Sequence, residues 1–214
     1  RNKFALDFGS GGIIKPLYSG NEFRWRISPR YRFNDKISFI YVLSVKNRFN
    51  NVGRTTYYDE NEEKIKGVNY TPNSDPTEIQ LIFSKRNTNM ITNVFSANYN
   101  LNNKMDLSVK LRYHLDQVKD LEFKELGDDG YLYESDYIGK HNKNYTTWTS
   151  DIAFNWRFAP GSQISLVWKN GIDNETDSLI NHWVDNVEES FKLAQQNSLS
   201  LKVIYYLDYL YFRK

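Results

Sequence analysis

Apolar and polar residues alternate along most of the chain, and each segment keeps one parity. Residues 197–212 show this best: the odd positions from Leu199 to Tyr211 are all apolar or aromatic, whereas the even positions include Lys202 and Asp208. A period of two residues is typical of β-strands that turn one face towards an apolar environment. The pattern therefore predicts an all-β, antiparallel fold.

The same alternation recurs upstream and predicts eight strands. Residues 105–115 repeat it, with apolar odd positions from Met105 to Leu115 opposing polar even ones, and residues 23–33 oppose aromatic side chains to arginines. The predicted strands cover residues 2–9, 22–33, 36–57, 79–101, 104–118, 145–159, 162–171 and 197–212.

The connections between these strands are predicted to alternate in length. Three of them, at 34–36, 102–104 and 160–161, consist mainly of the Asn, Asp, Pro and Gly residues expected in tight hairpins. The others, near 10–21, 59–78, 119–144 and 172–196, are long and polar. Short turns on one side and long loops on the other are typical of outer-membrane β-barrels, in which the short turns are periplasmic. This topology predicts a periplasmic C-terminus.

The connection at 172–196 holds the one convincing helical pattern. Its apolar residues fall on one helical face, with Asp and Glu on the other. These apolar residues are Ile180, Trp183, Val184, Val187 and Phe191. The sequence predicts a short helix in an extracellular loop, folded as a cap or plug over the mouth of the barrel.

Composition narrows the alternatives. The 214 residues suit one all-β domain, so residues 1–214 are predicted to be a single barrel domain or a barrel fragment. No run of about 18 apolar residues occurs, which excludes a transmembrane helix, while the 16% of aromatic residues suits membrane girdles. The absence of cysteine excludes disulfides and thiolate sites, and a net charge of +2 gives no indication of nucleic-acid binding. Because the chain starts at Arg1 without Met or a signal peptide, we expect a processed product or, preferably, a fragment of a longer protein.

The last third of the chain resembles a known family. The residues that carry the likeness are 155–162 (NWRFAPGS), 166–170 (LVWKN) and 197–209 (NSLSLKVIYYLDY), with weaker echoes at 82–87 and 105–112. They resemble large Bacteroidetes outer-membrane proteins with a periplasmic domain like family 9 carbohydrate-binding modules and a C-terminal barrel of unknown function. The resemblance implies that the glycan-binding module and the first barrel strands lie outside this chain, and that no catalytic residue carries over.

A stripe of basic residues on the inward parity is the most unusual feature. Such a wall favours anions inside a narrow lumen, because low-dielectric walls concentrate its field. Alternatively, these cations pair with Asp106, Asp151, Asp208 or loop carboxylates and merely fill the barrel. The stripe consists of Arg24, Arg26, Arg30, Arg32, Lys46, Arg48, Lys110, Arg112, Arg157, Lys169 and Lys202.

Aromatic residues cluster near the predicted periplasmic ends of two strands. Their outward parity favours a membrane girdle over a stacking platform for sugars. The predicted girdle consists of Trp156, Phe158, Tyr205, Tyr209 and Tyr211.

Catalytic and metal-binding patterns are weak. His114 lies near Asp116, but the closest candidate nucleophile, Ser108, is six positions away, so an ordinary polar lumen residue is the preferred interpretation. His141 and His182 lack metal-ligand spacing. The acidic runs 59–63 and 173–177 lack the glycine and alternating oxygens of an EF-hand, so we predict solvated acids, no metal and no cofactor.

These observations predict an antiparallel, up-and-down transmembrane β-barrel of the Gram-negative outer membrane, in which the present strands form the C-terminal part. The predicted function is non-enzymatic: a channel, a scaffold of an envelope complex or an anchor for a periplasmic glycan-binding domain. The predicted partners are outer-membrane lipid, other envelope proteins and, through a domain outside this chain, a glycan. The alternatives are a secreted soluble β-sandwich that binds a ligand and a membrane-embedded hydrolase or acyltransferase.

Overall fold

A computed structural model of the chain describes residues 2–58, 80–137, 141–180 and 183–207. These residues form nine strands, a 3-10 turn at Leu17–Ser19 and one helix, α1, at Trp183–Phe191. The strands are β1 (Phe4–Lys15), β2 (Gly20–Arg32), β3 (Ile37–Tyr58), β4 (Gln80–Asn102), β5 (Met105–Leu126), β6 (Leu132–Glu134), β7 (Lys143–Ala159), β8 (Ser162–Thr176) and β9 (Gln196–Ile204).

All nine strands belong to one antiparallel sheet. Its order is β1-β2-β3-β4-β5-β7-β8-β9, with the short β6 paired to the far end of β5. Each long strand therefore pairs with its neighbours in the sequence, which confirms the all-β, antiparallel prediction. Within the described residues the sheet is open, because β1 and β9 each have one pairing partner.

One face of the sheet carries a rung of apolar side chains that runs from edge to edge. The pairing registers align a single rung of apolar side chains across all eight long strands. This rung consists of Phe4, Tyr31, Phe39, Ala97, Val109, Ile152, Trp168 and Leu199. We call this side the apolar face. Its side chains remain accessible at both edges, where Phe8 is 68% and Leu199 70% exposed.

The opposite side, which we call the polar face, carries the intervening residues. A representative rung consists of Gly9, Arg26, Ser44, Thr92, His114, Thr147 and Asp173. Because successive side chains of a strand point to opposite faces, the alternation in the sequence becomes two chemically distinct surfaces.

The three predicted tight turns are confirmed. The side-chain oxygen of Asn34 accepts hydrogen bonds from the backbone amides of Lys36 and Ile37, both at 2.8 Å. Asn102 accepts one from Lys104 at the next turn on this side, also at 2.8 Å. Gly161 turns the β7–β8 hairpin with a φ of 72°, a conformation that favours glycine.

The predicted long connection at 10–21 is wrong. Strand β1 continues to Lys15, and only residues 16–19 join it to β2. The Gly11-Gly12 pair lies within the ladder, opposite Arg24 and Phe23. A Cβ added to Gly11 would come 3.3 Å from Nε of Arg24, so the glycine leaves the space that the arginine occupies.

Strand lengths at the long-loop end also differ from the prediction. Strand β5 runs to Leu126 and pairs with β6 across a turn that contains Gly130, at φ 81°, so part of the predicted loop 119–144 is strand. Strand β8 continues to Thr176 instead of ending at 171. At the other end of the chain, β9 stops at Ile204, and residues 208–214 lie outside the described part.

Helix α1 lies on the apolar face and does not fold over the polar one as a cap or plug. Two of its sheet-facing residues are polar: Asn186 accepts from the Asn144 amide at 2.7 Å, and Ser190 lies 2.9 Å from the Thr146 hydroxyl. Phe191 contacts Trp148, with ring centroids 5.1 Å apart. Within the described residues, no helix has the length and apolarity needed to cross a membrane.

Candidate functional site

The structure places the basic stripe on the polar face. All of its members except Arg157 occupy polar-face positions in the registers. Arg157 lies at the register shift beside the β7–β8 turn, where its backbone amide donates to Lys104. The predicted parity therefore corresponds to a real surface, whereas its proposed contact with anions stays a prediction.

Glu22 neutralises two members of the stripe. Its side chain is only 5% exposed and lies at the start of β2, where the register sets Arg48 beside it on β3. Nε of Arg48 donates to one carboxylate oxygen at 2.9 Å, and Nζ of Lys46 lies 3.3 Å from the other. The sequence analysis missed Glu22, because only the register shows that it faces both cations.

Other cations of the stripe have their own carboxylates. Arg112 donates to Asp151 at 2.6 Å and to the Thr149 hydroxyl at 3.2 Å. The register also sets Asp151 between Lys110 and Lys169 on the flanking strands. Arg30 pairs with Asp7 at 2.9 Å near the edge of the sheet. Of the carboxylates that the sequence suggested as partners, Asp151 takes this role, while Asp106 accepts from the Asn155 amide and Asp208 lies outside the described residues.

Arg24 and Arg26 differ from these residues. Within the part of the chain that the structure describes, neither guanidinium forms an ion pair with a carboxylate. Both line a concavity of about 500 Å³ on the polar face, which reaches from Gly9 on β1 to Thr92 on β4. Lys46 also contributes to its wall. This concavity is the candidate site.

Glycines opposite the two arginines give the concavity its depth. Gly9 is paired with Arg26 and Gly11 with Arg24. No atom lies within 4 Å of a Cβ built on Gly9, whereas the Arg24 side chain lies over Gly11. Gly9 and Gly11 are thus two small residues at polar-face positions of β1, and they leave room beside the two arginines. The spacing of Gly9 and Gly11 by two positions was the available signal in the sequence.

The histidines do not assemble a catalytic group. Nδ1 of His114 lies 2.9 Å from the Thr92 hydroxyl, and its ring contacts Tyr145 edge-on. Ser108 lies on the same strand about 20 Å away, at 3.3–3.4 Å per residue, too far for a hydrogen bond. His141 meets the Tyr137 hydroxyl at 2.7 Å, and His182 lies outside the described residues.

The acidic runs have ordinary partners where they are described. Asp173 and Glu175 belong to strand β8 and not to a loop, and Glu175 pairs with Lys143 at 3.0 Å. The run 59–63 lies outside the described residues. In the loop after β5, the Tyr133 hydroxyl donates to Asp129 and holds the pKa of that carboxyl below its ordinary value. Searched over its described residues, the chain has no group of three metal-ligating side chains.

The predicted girdle forms a contiguous aromatic cluster as far as it is described. Phe158 contacts Trp156, with ring centroids 5.7 Å apart, and stacks on Tyr205 at 6.2 Å. The cluster lies at the short-turn end of β7, beside the Pro160-Gly161 hairpin. Tyr209 and Tyr211 lie outside the described residues. A membrane role for the cluster stays a prediction.

Comparison with known proteins gives one match. No curated protein and no solved structure is similar to this chain. One family matches residues 1–214, the whole sequence, and it is described only as a domain of unknown function, DUF5916. The chain therefore belongs to the DUF5916 family.

Proposed function

We propose that this chain is the membrane-spanning C-terminal part of a non-enzymatic outer-membrane β-barrel. Its apolar face contacts lipid, its polar face lines the lumen, and its C-terminus is periplasmic. The barrel serves as a channel, as a scaffold of an envelope complex, or as the anchor of a periplasmic glycan-binding domain. The Bacteroidetes origin and the carbohydrate-binding-like domain that the sequence resemblance implies belong to this proposal.

The observation that carries the proposal is the apolar rung that crosses all eight long strands on one face. Eight neighbouring strands contribute to one apolar rung, from Phe4 to Leu199, and no second sheet covers it in the described residues. A water-soluble protein rarely exposes an apolar patch larger than a few hundred Å². A bilayer covers such a face, because lipid tails accept apolar side chains and a barrel satisfies its backbone hydrogen bonds internally.

The two ends of the sheet support the same interpretation. Three Asn- or Gly-based hairpins lie at one end, together with the cluster of Trp156, Phe158 and Tyr205. Three longer connections, helix α1 and the short β1–β2 connection at residues 16–19 lie at the other. Aromatic girdles and this asymmetry of loop length are typical of outer-membrane barrels. We infer that further strands, added at the open edges β1 and β9, complete the barrel.

The alternatives find less support. A β-sandwich needs a second sheet over the apolar rung, and the described residues contain a single sheet. A hydrolase needs a nucleophile within hydrogen-bonding reach of its base, and Ser108 and His114 stand apart on one strand.

Membrane fractionation combined with heat-modifiability tests the proposal. The detergent-extracted protein is run on a gel with and without boiling, beside the outer-membrane fraction. A folded barrel resists the detergent until it is boiled, so we expect outer-membrane localisation and a shift in mobility on boiling. A protein found in the aqueous fraction, with the same mobility in both lanes, would contradict the proposal.

A matched pair of variants sharpens this test. Ile152 and Ala153 are sequence neighbours on β7 that occupy opposite faces. A lysine on the lipid face near the middle of a bilayer costs about 2–4 kcal/mol, whereas lumen substitutions are tolerated. We therefore expect Ile152→Lys to reduce folding into lipid vesicles and Ala153→Lys to leave it nearly unchanged. Equal effects of the two variants would mean that the apolar face does not contact lipid.

A further inference from the structure

We propose that the concavity on the polar face of β1–β4 binds a small organic dianion, held by the guanidinium groups of Arg24 and Arg26. The inference deepens the proposed function, because it assigns a ligand class to the surface that we infer to line the lumen. It rests on that function for the location of the site, while its chemistry depends only on the described residues.

The first argument is the charge balance around the concavity. Glu22 already accepts contacts from both Lys46 and Arg48, and Asp7 is paired with Arg30. No carboxylate in the described part of the chain forms an ion pair with Arg24 or Arg26. Two neighbouring cations without counter-charge repel each other, and an anion between them removes that cost. Two negative charges match the two guanidinium groups.

The second argument is geometry. Arg24 and Arg26 are separated by two positions on β2, so both side chains point to the polar face from backbone sites about 7 Å apart. Each guanidinium presents a planar set of donors that fits carboxylate or phosphate oxygens in pairs. An anion in front of β2 is therefore within reach of both groups. Gly9 on the neighbouring strand keeps that space open, while the Arg24 side chain itself lies over Gly11.

The third argument is the shape and lining of the site. A volume of about 500 Å³ exceeds what a bare inorganic ion needs and lies within the range of small-molecule sites. Met90 supplies apolar contact, and the hydroxyls of Ser44 and Thr92 supply further hydrogen-bonding groups. This combination suits an organic molecule with a charged end and a partly apolar body. Phosphate monoesters and dicarboxylates share this chemistry.

The test is calorimetric titration of the full chain, refolded in zwitterionic detergent at low salt. The probes are glycerol 3-phosphate, succinate, the monoanion acetate and neutral glycerol. The variants are Arg24→Gln/Arg26→Gln and, as a matched control, Lys110→Gln/Lys169→Gln, which removes two polar-face cations that do not line the concavity. A third variant, Arg24→Lys/Arg26→Lys, keeps the charge but loses paired hydrogen bonding and guards against misfolding of the Gln variant.

We expect at least one dianion to bind, with acetate and glycerol much weaker. Loss of a charged hydrogen bond corresponds to about tenfold in affinity per arginine, so the Arg-to-Gln double variant should lose binding about a hundredfold or more. The Arg-to-Lys variant should fall between it and the parent, and the Lys control should stay within about twofold. The tighter probe identifies the source as a phosphate ester or a dicarboxylate.

Three results would overturn the site. These are no dianion binding, equal affinity for acetate and the dianions, and equal loss in the Arg and Lys double variants, which would reveal only a general positive field. Fractionation of the same preparation separates this outcome from the fate of the proposed function. If the protein binds a dianion but does not enter the membrane, the site is supported and the barrel is rejected. If the protein is a heat-modifiable barrel that binds no dianion, the barrel is supported and the site is rejected.

Discussion

The two halves of the polar face handle their positive charge differently. On β1–β4, Glu22 pairs with two cations, whereas no carboxylate among the described residues pairs with Arg24 or Arg26. On β5–β8, acids and bases alternate across the strands. There Asp151 accepts from Arg112 and lies in one rung with Lys110 and Lys169.

The comparison shows that the number of cations does not decide where an anion binds. Both halves are rich in Lys and Arg, but the registers bring carboxylates next to the cations in one half and leave two arginines facing glycines in the other. The sequence alone tells which charged residues each strand carries. The pairing of strands determines which charges are neutralised.

The largest effect on stability is expected from Glu22→Gln. The Glu22 side chain is only 5% exposed. In the variant, Lys46 and Arg48 lose its carboxylate and face each other without a counter-charge. Removing one partner of a fully buried pair costs about 3–5 kcal/mol, and since both cations keep roughly a third of their exposure we expect about 2 kcal/mol of destabilisation. Urea unfolding in detergent measures it. Glu175→Gln, which frees only the exposed Lys143, should cost about 0.5 kcal/mol or less, and an equal cost would contradict the role of Glu22.

Asp151→Asn should make the charge balance on the polar face of β5–β8 more like that of β1–β4. It removes the acceptor of Arg112 and the carboxylate between Lys110 and Lys169. We expect a loss of about 1 kcal/mol in unfolding free energy, reduced by added salt, because both partners of the ion pair are partly exposed. Asp106→Asn is the control, since its carboxylate accepts from a neutral amide of Asn155. If both variants lose the same stability with the same salt dependence, the ion pair contributes nothing specific.

A smaller effect is expected from Gly11→Ala. Its new methyl group would lie 3.3 Å from Nε of Arg24 and push that side chain from its position, at a cost of about 0.5–1 kcal/mol or roughly threefold in dianion affinity. The methyl group of Gly9→Ala meets no protein atom within 4 Å and displaces no arginine, so this variant should lose less affinity than Gly11→Ala, through the space that the methyl group takes from the concavity. Calorimetric titration compares the two. Unchanged binding by Gly11→Ala would mean that Gly11 does not contribute to the site.

The smallest effect is expected from Asp7→Asn. Asp7 and Arg30 are 62% and 50% exposed, and pairs this accessible contribute about 0.5 kcal/mol or less. Urea unfolding at low and high salt should show a slight loss that disappears at high salt. A loss above about 1 kcal/mol would mean that the edge strand β1 is held by this pair.

Much of the sheet could be predicted because its signals are local. Alternation over ten or more residues identifies a strand, and Asn34, Asn102 and Gly161 stop strands through their own hydrogen bonds or backbone conformation. The same local reasoning failed at Gly11-Gly12, where the large Arg24 side chain on the next strand fills the space that Gly11 leaves. It failed also after residue 118, where pairing with β4, and with β6 at residues 124–126, extends β5.

The candidate site depends on registers, which a single sequence does not state. Glu22 was overlooked as a counter-ion because its partners lie on another strand. Helix α1 was identified from its apolar spacing, and Phe191 of that apolar face does contact the sheet. The polar residues Asn186 and Ser190 contact it too, while Val184 is exposed, so the amphipathic pattern identified only part of the contact surface. In each case the deciding contact joins residues that are distant in the sequence.

The neighbour-to-neighbour order of the sheet has a consequence for how it assembles. Every long strand pairs with the long strand before or after it, so each new rung closes a short stretch of chain. Short closures cost little entropy, and low contact order favours rapid folding. The sheet can therefore grow one hairpin at a time, with each finished strand serving as the template for the next.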